Sequence, residues 1–81
     1  MSVRHLALVA DLLDVPPTSK LMLFAMAANA DSRGWTTIGN GPLRKATGLS
    51  ERTVRDTLKK LREDGYIERT SGSLAKLKIP A

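Results

Sequence analysis

The chain has 81 residues, no cysteine, a single histidine and a formal net charge of +5. A chain this short buries only roughly 60% of the surface its unfolded form exposes, so residues 1–81 are read as one domain with one core. Without cysteine there is no disulfide framework and no thiolate metal site, and one histidine cannot hold zinc by itself; no cofactor is expected, and a reducing cytoplasm is the expected home.

In chain order, residues 1–16 form an N-terminal helix or arm. Leu6, Val9 and Leu13 fall on one helical stripe, so Val3 to Leu13 reads as an amphipathic helix, although the apolar run Leu6 to Ala10 also suits a strand. Arg4 and Asp11 leave no long uncharged apolar run here, which reads against a signal peptide or membrane span. The chain is therefore expected to be soluble and not exported, and the Met1 start with the compact length suits a whole protein. After Asp14-Val-Pro-Pro-Thr, a first core helix is expected over residues 17–31. Thr18 or Ser19 caps it, Lys20 to Ala28 are good helix formers, and Asp31-Ser-Arg-Gly ends it near Ala30. Met22, Phe24 and Met26 in this stretch read as core at helical spacing, not as a ligand pocket.

Trp35 to Ile38 is aromatic and β-branched between glycines and reads as a short strand, with Trp35 a core plug. A helix-turn-helix is expected over residues 42–64. Pro42 suits the first turn of a helix that runs to about Thr47 and stops at Gly48. Ser50 then caps a second helix, about Glu51 to Asp64, whose Val54, Leu58 and Leu61 recur at i, i+4 and i+7 as its buried face. Gly65 ends that helix. Residues 65–80 follow as a hairpin, with strands Tyr66 to Thr70 and Leu74 to Ile79 joined across Ser71-Gly72. Alternation with Ala75, Leu77 and Ile79 puts Lys76 and Lys78 together on the solvent face of the last strand.

A short helix, a glycine turn, a charged second helix and a hairpin follow one another in the order of a winged helix-turn-helix. The expected fold is mainly α, three to four helices, with a small antiparallel β-hairpin as the wing. In the turn, Gly48 takes the left-handed conformation, Leu49 plugs the core and Ser50 satisfies free N–H groups of the next helix. Charge follows the same division. Residues 1–40 carry three basic and three acidic side chains, whereas residues 41–81 carry ten basic and five acidic ones, the asymmetry of a polyanion binder.

Leu43-Arg-Lys-Ala-Thr-Gly-Leu-Ser-Glu-Arg-Thr-Val-Arg, with Leu58, Leu61, Gly65 and Ile67 after it, resembles bacterial winged helix-turn-helix domains. The nearest are those of actinobacterial, phage and plasmid regulators and of replication initiators. The resemblance spans about Trp35 to Thr70, with Thr18 to Ala30 as the family's first helix. Two positions depart from it: Arg44 stands where the family has a small residue under the recognition helix, and Asp56 where a basic or neutral residue is commoner.

At about 100° per residue, the side of Glu51 to Asp64 opposite the apolar stripe collects Arg52, Asp56, Lys59 and Glu63, flanked by Thr53, Arg55 and Lys60. Arginine reads guanine bidentately, threonine contacts the thymine methyl and aspartate accepts from cytosine N4, so Arg52, Thr53, Arg55 and Asp56 are the candidate base contacts. Arg44, Lys45, Ser50, Lys59 and Lys60 are candidates for the DNA backbone, and Arg69, Ser71, Ser73, Lys76 and Lys78 for wing contacts. Against this stands a plain solvated helix in which Arg52, Asp56, Lys59 and Glu63 pair with one another. The expected function is sequence-specific binding of double-stranded DNA by a small transcriptional regulator or mobile-element control protein of the nucleoid. The alternative is a protein-interaction winged helix docking on a replication or transcription partner. The Val3 to Leu13 stripe either packs on its own domain or supports a homodimer.

Gly39-Asn-Gly41 resembles the opening of a dinucleotide fingerprint, but Arg44 takes the third glycine position and no βαβ unit surrounds it, so a turn is expected. His5 has no partner pattern for acid-base or nucleophilic work and reads as a surface or partly buried side chain. No catalytic set emerges, so an enzyme is not expected, nor is a membrane or small-molecule partner.

Overall fold

A computed structural model describes residues 1–79, with the backbone alone for Thr70 and Ser71; the expected end of the wing at Pro80 lies outside the described residues. Four helices, α1 (Val3–Ala10), α2 (Pro17–Ala28), α3 (Asn40–Thr47) and α4 (Glu51–Glu63), combine with three strands, β1 (Trp35–Thr37), β2 (Ile67–Ser71) and β3 (Leu74–Leu77). This is the mainly α, winged helix-turn-helix layout, with α1 added in front. The strands form one antiparallel sheet in the order β1-β3-β2.

The core is centred on α2, where Met22, Leu23, Ala25, Met26 and Ala27 are buried against α1, α3, α4 and β1. So many buried positions on one helix leave little of a polar face, which explains the continuous apolar run in the sequence. No side chain caps α2. Pro17 stands at its first position, where a missing N–H is harmless, and Thr18 and Ser19, the expected caps, both lie within the helix, Ser19 buried. The helix ends at Ala28, two residues before the expected Ala30, with Asn29 as its C-cap. Phe24 is only half-buried, at the edge of the core rather than within it.

α1 stops at Ala10: the Asp11 N–H donates to Ala7 O and the Leu12 N–H to Val9 O, and Lys20 Nζ donates to the carbonyls of Ala10 and Leu12 at 3.1 and 2.8 Å. The expected Leu6, Val9 and Leu13 stripe is therefore corrected: His5 and Val9 are the buried pair, Leu6 is half-buried and Leu13 is 90% exposed. His5, expected at the surface or partly buried, is buried, with Nδ1 bonded to Ser2 Oγ.

In the turn between α3 and α4, Gly48 has φ +76°, and its N–H donates to Arg44 O at 2.8 Å. Leu49 packs against the core, and Ser50 Oγ accepts from Thr53 N at 3.2 Å as the cap of α4. α3 begins at Asn40, so the expected turn at residues 39–41 is the helix start, with Pro42 in its first turn. On α4 the buried residues are Val54, Thr57 and Leu61, while Leu58, expected inside, is half-buried. The spacing i, i+3, i+7 serves as well as i, i+4, i+7, and Leu58 packs at the rim of the core, on the side that faces the hairpin turn.

The hairpin turns on Gly72-Ser73, one residue later than expected, with Ser71 paired to Leu74 and a bulge between Arg69 and Ser71. Ala75, Leu77 and Ile67 face the helices; Glu68 and Lys76 face away. β1 extends the sheet beyond β3, which places Trp35 half-buried beside Lys76 on the outer sheet face, not in the core.

Candidate nucleic-acid interface

The outer side of α4 carries the exposed side chains of Arg52, Arg55, Asp56, Lys59, Lys60 and Glu63. Its strong division into an apolar and a charged face follows from the core contacts of Val54, Thr57 and Leu61, which turn every arginine and lysine of the helix outward. Ser50 orients the first turn. It accepts from Thr53 N and donates to Thr53 Oγ1 at 2.9 Å, so the Thr53 hydroxyl is half-buried and committed to the cap, with its own proton free to donate.

Between α4 and the hairpin lies a cleft of about 660 Å³, lined by Ile38, Asn40, Arg55, Asp56, Leu58, Lys59, Arg62, Arg69, Gly72 and Ser73. Four cations and one carboxylate meet there, over a floor that includes Ile38 and Leu58. Arg69 is held in place because its Nε donates to Gly72 O at 3.0 Å, tying the guanidinium to the hairpin turn. Asn40 Nδ2 donates to Glu51 O at 3.3 Å and links the starts of α3 and α4 at the end of the cleft. Asp56 is 3.7 Å from Arg52 Nε, an exposed i, i+4 pair that contributes at most about 1 kcal/mol. Among the described residues, neither Lys59 nor Glu63 forms an ion pair, so the mutual pairing of the four charged residues is realised only between Arg52 and Asp56.

The remaining site residues of the sequence reading divide between this cleft and other surfaces. Arg44 and Lys45 are exposed on α3, so Arg44 points outward rather than under α4, and the contact between the two helices is made around buried Leu43 and Leu49. Ser73 reaches the cleft from the turn. Ser71 ends β2, and its side chain lies outside what is described. Lys76 and Lys78 are on the far face of the sheet from Arg69. Lys76 Nζ lies 5.9 Å from the centre of the Trp35 ring, and Lys78 Nζ is 3.2 Å from Glu68 Oε2. Both lysines thus have partners on a face that α4 does not share.

Arg62 and Asn40 are cleft residues to which the sequence reading gave no role. Arg62 had a signal, since Arg55, Lys59 and Arg62 recur at i, i+4 and i+7 and form a basic edge beside the apolar stripe. Asn40 had none, because only the tertiary approach of α3 to α4 brings it there. No family model matches the chain, and no curated protein or solved structure is significantly similar to it. Among the described residues no helix is long and apolar enough to cross a membrane, and no group of metal-ligating side chains occurs.

Proposed function

We propose that this protein binds double-stranded DNA sequence-specifically, as a small transcriptional regulator or mobile-element control protein of bacterial or phage type, acting at the nucleoid. The observation that carries this reading is the convergence of Arg55, Lys59, Arg62 and Arg69 on the cleft between an exposed helix and a hairpin. The major groove of B-DNA admits one α-helix, and phosphates flank it on both sides. A helix whose edge residues and adjacent hairpin are basic suits that arrangement. Arg52, Thr53, Arg55 and Asp56, in the first two turns of α4, are the base-reading set. Arg44, Lys45, Ser50, Lys59 and Lys60, joined by Arg62 and Arg69, contact the backbone. The order α3, Gly48 turn, α4 and β2–β3 hairpin, the layout of a winged helix-turn-helix, supports the same reading.

The test is fluorescence anisotropy with a random duplex library and with single strands at two salt concentrations, followed by sequencing of retained duplexes. The expected result is duplex binding with an enriched motif and a log-log salt slope of about −0.9 per phosphate contacted. No duplex binding at low salt overturns the proposal and leaves docking on a protein partner as the function of the basic cleft.

A further inference from the structure

The outward face of α1 has no partner within the described domain. Its exposed residues are Val3, Arg4, Ala7 and Ala10, with Asp11 as the C-cap. Val3 is 71% exposed, and Leu13, just past the helix, is 90% exposed. Ala7 lies at the centre of this face, Val3 and Ala10 along one edge, and Arg4 and Asp11, two turns apart, along the other.

The two charges are badly placed for an isolated helix. Arg4 sits in the first turn, at the positive end of the helix dipole, and Asp11 sits at the negative end. Neither forms an ion pair among the described residues. Both misplacements are relieved by an antiparallel helix laid on the same face, which brings its negative end to Arg4 and its positive end to Asp11. The helix that fits those requirements is α1 itself. With a two-fold axis beside Ala7, the edge carrying Arg4 and Asp11 meets the same edge running the other way, so Arg4 of each copy faces Asp11 of the other. The alanines at the centre permit close approach of the two backbones, and Val3 of one copy comes alongside the segment leading to Leu13 of the other.

We infer that α1 is a homodimer surface, pairing antiparallel with α1 of a second copy through Val3, Ala7 and Ala10 and two symmetric Arg4–Asp11 contacts. The pairing is independent of the DNA-binding reading. One face of an eight-residue helix is small beside a standard interface of about 800 Å² per partner, so the dimer is a weak, concentration-dependent one.

Sedimentation velocity of the full chain over a concentration series tests this. The wild-type chain is expected to self-associate. Arg4→Asp, which makes both edge charges acidic, and Asp11→Arg, which makes both basic, are each expected to weaken association by roughly ten-fold or more through like-charge contacts made twice. Mixing the two variants is expected to restore association as a heterodimer, which general stickiness or loss of fold does not produce. Circular dichroism melts check folding, and the neutral variants Arg4→Gln and Asp11→Asn, with smaller effects in the same direction, stand in for any reversal that does not fold. A wild-type chain that stays monomeric at its highest soluble concentration, association unchanged by the reversals, or a mixture that does not associate overturns the inference.

Discussion

The imidazole of His5 lies directly against Gly34: a Cβ at Gly34 would stand 2.8 Å from His5 Nε2, and Gly34 has φ +88°. The contact fastens α1 to the turn that leads into β1, where Asp31 Oδ1 accepts from the N–H groups of Arg33 and Trp35 at 2.9 and 3.0 Å. Gly34→Ala therefore meets two penalties at once, the left-handed backbone, about 1–2 kcal/mol, and the clash with a buried ring. Gly48, with φ +76° and open space around it, meets only the first. We predict that Gly34→Ala lowers Tm by more than Gly48→Ala, the latter by about 4–8 °C per kcal/mol in a domain of this size. Equal losses in thermal melts would show that the His5 ring yields freely.

The same burial makes stability pH-dependent. Desolvation, and secondly Arg4, hold the His5 pKa below its ordinary value near 6.5, with Asp31 acting weakly the other way. The folded pKa is thus below the unfolded one, and between the two values the unfolded chain binds more protons, so stability rises with pH there. The contribution of neutral His5 is complete above about pH 6.5 and is lost as pH falls from that value through the folded pKa. In urea titrations the wild-type midpoint is expected to drop more steeply below pH 6.5 than that of His5→Gln, which keeps a polar partner for Ser2 Oγ. Parallel curves for the two proteins would remove His5 as the titrating group.

Local chemistry was the most legible part of this fold. Gly48, Leu49 and Ser50 each carry one role that depends on a few neighbouring residues, and each is found in that role. What the sequence left open was decided between distant segments. Val54 and Leu61 leave room for either Thr57 or Leu58 between them, and Thr57 is the buried one while Leu58 packs at the rim of the core. Trp35 reads as core until β1 pairs with β3 and turns it to the outer face. α1 ends three residues before Leu13, and nothing near Leu13 announces that Lys20, from the next helix, takes the carbonyls of Ala10 and Leu12. For the candidate site, Arg55 and Lys59 were legible as an exposed face. The division of Arg69 from Lys76 and Lys78 was not, since it depends on the bulge and register of β2.

Ser50 offers a measure of how firmly α4 is set. Its Oγ is the acceptor for Thr53 N, and the helix has no other side-chain cap at that end. Ser50→Ala is expected to destabilise the domain by about 1 kcal/mol, whereas Ser50→Gly, at a position glycine tolerates as a cap, is expected to cost only a few tenths. Denaturant midpoints at constant slope give both numbers. If neither substitution moves the midpoint, the cap contributes nothing and α4 is held by its core residues alone.

The opposite faces of the sheet separate two uses of basic charge, and DNA binding can tell them apart. Arg55, Arg62 and Arg69 open into the cleft, whereas Lys78 is held by Glu68 on the other side. Under the DNA-binding proposal, Arg62→Ala and Arg69→Ala each remove one phosphate contact. They are expected to weaken all duplexes alike and to make the log-log salt slope shallower by about 1. Arg55→Ala, nearer the start of α4, is expected to cost about 1–3 kcal/mol on the preferred sequence and to relax the motif at one position. Lys78→Ala is expected to leave both slope and motif unchanged. Anisotropy titrations of the four variants at several salt concentrations make the comparison. Should Lys78→Ala shift the slope as much as Arg69→Ala, the polyanion runs over the outer face of the sheet, and α4 is not the element that enters the groove.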